Sequence, residues 1–178
     1  MDPLIAKALS FAAYKHRHQQ RKNVERVPYI NHPLELVEVL VVEGDVFDIE
    51  VLCAAILHDT VEDTDTSFYE IQDLFGLAIS NIVREVTDDK TLPKSQRKQA
   101  QIDHAPHTSP KAKLVKLADK IVNIRDVTHR PPEGWSDERI AEYVAWSERV
   151  VSGLRGVHPV LEKLFDAVLS AAKEKINA

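Results

Sequence analysis

Apolar residues recur at helical spacing along most of the chain. Leu4, Ile5, Ala8, Leu9, Phe11 and Ala12 trace one amphipathic face, Leu34, Val37, Leu40 and Val41 a second, and Ile79, Ile82, Val83 and Val86 a third. The run from Val51 to Leu57 is apolar throughout and reads as a buried helix. Strand-like alternation is absent over any useful length, so the pattern predicts an all-α helical bundle in one compact domain, residues 1–178. Polar punctuation sets the boundaries. Asp48 can cap the helix that ends near His58, Ser67 with Glu70 has capping-box spacing, Gly76 can stop the helix that follows, and Ser109-Pro110 opens the helix containing Asp119. Arg130-Pro131-Pro132-Glu133-Gly134 interrupts the pattern, and two further helices, 136–154 and 159–175, complete the domain. With Ser136 as N-cap, Trp135 and Ile140 take the positions of a hydrophobic staple, which favours a structural role for Trp135 over a nucleobase platform.

Three polar features interrupt these apolar faces in similar settings. His58-Asp59 stands where the buried run opens into the acidic loop Thr60-Val61-Glu62-Asp63-Thr64-Asp65. His32 precedes Pro33, whose fixed φ suits the first turn of a helix, so this imidazole sits at a helix entrance. Asp119 lies beside the face formed by Leu114, Leu117, Ala118 and Ile121, with Asn123 one turn further along on its own side. Any one of these residues could simply cap a helix or start a turn. Together they form a mixed imidazole and carboxylate set without thiolate, which suits Mn²⁺, Fe²⁺ or Zn²⁺ with open positions for water and substrate. A dication so held favours hydrolysis, because it lowers the pKa of water and polarises a phosphoryl oxygen. Glu62 and Asp63 follow Asp59 closely enough to orient or deprotonate that water, and either could be the base.

Four motifs occur in order: Tyr29-Ile30-Asn31-His32-Pro33, His58-Asp59-Thr60-Val61-Glu62-Asp63-Thr64, Thr87-Asp88-Asp89-Lys90, and the segment from Lys116 to Arg125. With them the chain closely resembles the HD-domain alarmone hydrolases of the RelA/SpoT type, particularly the short stand-alone forms, from about Leu4 to Trp146. The resemblance implies an all-helical fold and Mn²⁺-dependent removal of the 3′-pyrophosphate from guanosine tetra- or pentaphosphate (ppGpp or pppGpp). It also implies that His32, His58, Asp59 and Asp119 ligate one Mn²⁺, that Glu62 and Asp63 are the catalytic acidic pair, and that Asn123 contacts the nucleotide. Such a substrate would be repelled by the acidic segment unless cations intervene. Arg21, Lys22, Lys90, Lys94 and Arg97 are available, and Arg21, Lys22 and Lys94 are the preferred phosphate contacts. At this length no region remains for synthetase or regulatory segments, so the resemblance implies hydrolysis without synthesis.

Composition narrows the partners. With 178 residues, 44% apolar and 29% charged, the chain can bury a substantial core. A net charge of −5 argues against nucleic-acid or anionic-membrane binding and for a small-molecule nucleotide in a locally basic pocket. The single cysteine, Cys53, fits a packed thiol in a reducing compartment. No signal-peptide pattern or membrane-length apolar stretch is present, which makes a cytoplasmic protein the expectation. Two other functions remain open: a 2′-phosphatase acting on NADPH, whose substrate also joins a phosphorylated ribose to a 5′-diphosphate, and a noncatalytic nucleotide sensor. A sensor would usually have lost a ligand or the acidic pair, and all six residues are present here. His104 and His107 have no place in the motif set.

Overall fold

The computed structural model describes residues 2–177, and among these the periodic segments fold as helices with no strand beyond two isolated bridges. In chain order the helices are α1 (Pro3–Lys15), α2 (Asn31–Glu38), α3 (Ile49–Leu57), α4 (Thr60–Asp63) and α5 (Phe68–Phe75). They continue with α6 (Leu77–Val86), α7 (Lys94–His104), α8 (Pro110–His129), α9 (Asp137–Ser152) and α10 (Pro159–Ile176). A π-turn, Val39–Glu43, extends α2, and a 3₁₀ turn, Ala105–His107, follows α7.

The expected caps are made. Asp48 Oδ1 accepts from the Glu50 and Val51 amides at 2.9 and 3.3 Å, which fixes the start of α3, and Ser109 Oγ accepts from Ala112 N at 3.3 Å at the start of α8. Gly76, with φ of 89°, both ends α5 and admits α6. The capping box of α5 is half formed: Ser67 Oγ accepts from Glu70 N at 3.1 Å, while the Glu70 carboxylate turns to Lys15 at 3.2 Å. At α2 the helix begins at Asn31, so Pro33 is its third residue, still among the first four amides that need no helical acceptor.

The core is organised around α3 and α8. Every residue from Val51 to Leu57 is buried, and Leu117, Ala118, Ile121 and Ile124 of α8 are fully enclosed. Helix α8 packs against α2, α3, α6, α9 and α10, while α1 covers α3. Two segments depart from the sequence expectation. The acidic stretch after Asp59 is a helical turn, α4, rather than a loop. Helix α7 has no buried residue and only Ala100 and Ile102 as aliphatic positions, so it carries no apolar stripe by which the pattern could reveal it. The Trp135 ring packs tilted against Tyr143, with centroids 5.7 Å apart, and Ile140 is buried in the core.

Candidate active site

The ends of two helices and the middle of a third bring the four sequence-selected groups together. His58 caps α3 with Asp59 directly after it, His32 stands in the first turn of α2, and Asp119 lies halfway along α8. His58 Nε2 is 2.9 Å from Asp59 Oδ2 and 4.0 Å from Asp119 Oδ1; His32 Nε2 is 3.3 Å from Asp119 Oδ1 and 4.0 Å from Asp59 Oδ2. Donor atoms of His32, His58 and Asp59 all lie within 4.8 Å of one another. His32, Glu35 and Asp126 are equally close, but there the carboxylates are already ion-paired, Glu35 with Arg130 and Asp126 with Arg21 and Arg130.

Hydrogen bonds from outside the cluster hold Asp59, Asp119 and His58, while His32 Nδ1 is buried without a partner. The Tyr29 hydroxyl donates to Asp59. Asp119 accepts from Asn123 Nδ2 at 2.6 Å and from Lys120 Nζ at 3.1 Å. His58 Nδ1 faces the Ala55 carbonyl at 2.8 Å, and since a carbonyl can only accept, the imidazole proton is assigned to Nδ1. The Nε2 lone pair therefore points at the Asp59 carboxylate, and Nε2 is buried without a hydrogen-bond partner. Two lone pairs at that separation require a positive charge between them, either a second proton or a cation. The electrostatics point the same way: burial penalises the His58 cation, but Asp59 and Asp119 outweigh burial and lift the group to about 9. Burial would raise the Asp59 carboxyl, yet His58 and His32 hold it below its ordinary range. Asp119 is held well below its range against burial, first by Lys120 and then by the two imidazoles. Two imidazole nitrogens and two ionised carboxylates at these separations fit a divalent metal with oxygen and nitrogen ligands.

The acidic pair divides between two cavities. Glu62 shares a cavity of ≈ 180 Å³ with His32, His58, Asp59 and Asp119. Its carboxylate accepts from Asp88 N at 3.0 Å, and burial, aided by the charge of Asp59, raises it to about 6. Asp63 instead pairs with Lys90, accepts from Gln19 Nε2 at 3.1 Å, and lines an adjoining cavity of ≈ 300 Å³ with Arg21, Lys22, Tyr29, Asn123 and Trp135. Asn123 lines both cavities while it holds Asp119. Arg21 is fixed between Asp126 and Asn123 Oδ1, 3.4 Å away in the second case, and Lys22 is anchored by its carbonyl, which accepts from Glu133 N at 2.9 Å. Lys94 is further out, in a third cavity of ≈ 350 Å³ shared with Lys22, Arg97, Lys98 and Arg139.

Tyr29, Asp88, Lys116, Lys120 and Tyr143 also border the central cavity, although the sequence reading assigned none of them a role. The available signal was in α8, where Lys116 and Lys120 fall among the apolar positions Val115, Leu117, Ala118 and Ile121. Tyr143 lies in no motif that could have set it apart.

The family model described as HD domain matches residues 8–145. The chain is 57% identical over 163 residues to the guanosine-3′,5′-bis(diphosphate) 3′-pyrophosphohydrolase MESH1 of Xenopus tropicalis, covering 92% of this chain and 91% of that protein. It is 54% identical to the human protein of the same name, covering 89% of each. Among solved structures, one described as a metazoan ortholog of SpoT that hydrolyses ppGpp and plays a role in starvation responses superposes with a TM-score of 0.93 at 44% identity, covering 96% of both chains. The chain belongs to the HD-domain family, in the branch that holds the metazoan guanosine-3′,5′-bis(diphosphate) 3′-pyrophosphohydrolases.

Proposed function

We propose that this protein is a cytoplasmic, single-domain phosphohydrolase that removes the 3′-pyrophosphate of ppGpp or pppGpp, releasing GDP or GTP and pyrophosphate. The observation that carries the reading is the convergence of His32, His58, Asp59 and Asp119 beside Glu62, in a cavity that opens towards Arg21 and Lys22. These four residues would hold one divalent ion, for which the family resemblance favours Mn²⁺. When bound, the ion supplies a lower pKa for water and polarisation of a phosphoryl oxygen. Among the chain's own groups, Glu62 is the base: its carboxylate shares the central cavity, and it takes the proton as water attacks the phosphorus linked to the 3′-oxygen. Asp63 anchors Lys90 and Gln19 and shapes the adjoining cavity. Arg21, Lys22 and Lys94 offset the phosphate charges, and Asn123 joins the nucleotide cavity to Asp119.

Competition between ppGpp and NADPH in one Mn²⁺ buffer tests the substrate. Pyrophosphate released from ppGpp should dominate. Release of phosphate from NADPH alone would replace this reading with the 2′-phosphatase, and tight nucleotide binding without turnover would replace it with a sensor.

A further inference from the structure

Two buried lysines occupy successive turns of α8, and their surroundings differ. Lys120, 3% exposed, donates to Asp119 and lies over the Trp146 ring at 4.5 Å from its centroid. Lys116, 8% exposed, makes no hydrogen bond or ion pair with any described residue. Enclosing an ammonium without a partner is costly, and the cost is removed when an anion arrives to complete it.

The position of Lys116 limits which anion that can be. It lines the central cavity with the His and Asp cluster and Glu62. It also lines a second cavity of ≈ 430 Å³ beyond Asp88 and Gln101, which reaches Arg97, His104 and His107. Arg97 and Gln101 line this second cavity, and Arg97 Nε and Gln101 Oε1 are buried without partners, while Arg97 Nη1 lies 4.0 Å from Glu62 Oε1. The other charged or titratable groups facing the central cavity are the carboxylates Asp59, Glu62, Asp88 and Asp119, the imidazoles His32 and His58 set against Asp59 and Asp119, and Arg21 and Lys120, both committed to acidic partners. A polyanion entering this space meets one uncommitted cation from the floor of α8.

We propose that the Lys116 ammonium binds the oxygens of the pyrophosphoryl group during its transfer, with Arg97 beyond it as the second contact; this rests on the pyrophosphohydrolase reading. In the step it serves, the water oxygen bonds to phosphorus and the bond from phosphorus to the ribose 3′-oxygen breaks. Glu62 accepts the water proton, the 3′-oxygen takes one from solvent, and Lys116 keeps its own.

The competing role is structural, a counter-charge for Asp88, Asp119 and Glu62. Lys116→Met separates the two, because it keeps an unbranched apolar stem of four atoms and removes the ammonium. Binding of inorganic pyrophosphate to Mn²⁺-loaded protein should weaken by about tenfold or more, kcat/KM for ppGpp should fall by a similar factor, and the melting temperature without ligand should hold or rise. K116Q should show the same losses, and K116R should recover part of them. Pyrophosphate affinity and kcat/KM within about threefold of wild type would overturn the proposal, and so would a K116M protein that melts lower or fails to fold. Wild-type protein that binds pyrophosphate through Lys116 but leaves ppGpp intact would sink the assigned reaction and leave the anion site standing.

Discussion

Glu62 and Asp63 are neighbours in sequence but face different surroundings, and that difference assigns their roles. Glu62 opens on the His and Asp cluster, while Asp63 is held by Lys90 and Gln19 in the next cavity. Glu62→Gln should lower kcat by about 10²–10⁴, the usual contribution of a general base, whereas Asp63→Asn should act mainly on KM. Steady-state kinetics on both variants check this, and equal losses in kcat would undo the assignment. The pH dependence follows from the burial of Glu62, which raises it to about 6. A base must be unprotonated to work, so activity should fall on the acid side through that value. A dication nearby opposes the rise and moves the limb lower, never higher. The limb should be missing from the residual activity of Glu62→Gln. Sequence alone could name the acidic pair but not divide it, because one residue of helix phase turns adjacent side chains by about 100° and only the folded α4 shows which faces the cluster.

At the level of elements, the segments that hold the site are those with the clearest sequence signals. An unbroken apolar run delivers His58 and Asp59, a proline-marked helix start delivers His32, and a long helix opened by Ser109 delivers Asp119. Helix α7 was invisible because it buries nothing, and the π-turn after α2 was invisible because it changes backbone phase without changing composition. That turn ends at Gly44, which packs so closely that an added Cβ would lie 2.6 Å from Leu161 Cδ2 and 2.9 Å from the Leu40 carbonyl oxygen. Gly44→Ala should therefore destabilise the protein by about 1–3 kcal/mol in denaturant unfolding, and a neutral change would mean that the contact relaxes freely. The same turn is tied to α8 by Glu43, whose two oxygens accept from Arg125 at 2.6 and 2.8 Å. The Arg125 hydrogen bond holds the Glu43 carboxyl below its ordinary value of 4.5. Its contribution is therefore complete above the unfolded-chain value and is lost as pH falls through the lower folded one. Glu43→Gln should flatten the decline of stability below about pH 4.5, by no more than about 1 kcal/mol because the pair is partly exposed. An unchanged acid limb in the variant would show that the pair contributes nothing.

For the whole molecule, periodicity was enough to specify an all-α bundle, and among the described residues no helix is long and apolar enough to cross a membrane. The convergence of the site was not legible in the same way. His32, His58 and Asp119 are far apart along the chain, and their meeting depends on how α2, α3 and α8 pack, a relation that hydrophobic pattern alone leaves open. Ordered motifs supplied what periodicity could not, but they were silent about Lys116 and Tyr143, which become visible only as walls of the cavity. The account therefore depends on one ion joining three helices beside Glu62. The most direct test is pyrophosphate release from ppGpp by metal-stripped protein as Mn²⁺ is titrated back. The rate should start near zero and saturate at about one bound ion per chain, with His58→Ala abolishing the recovery. Stripped protein that releases pyrophosphate at the full rate would contradict it.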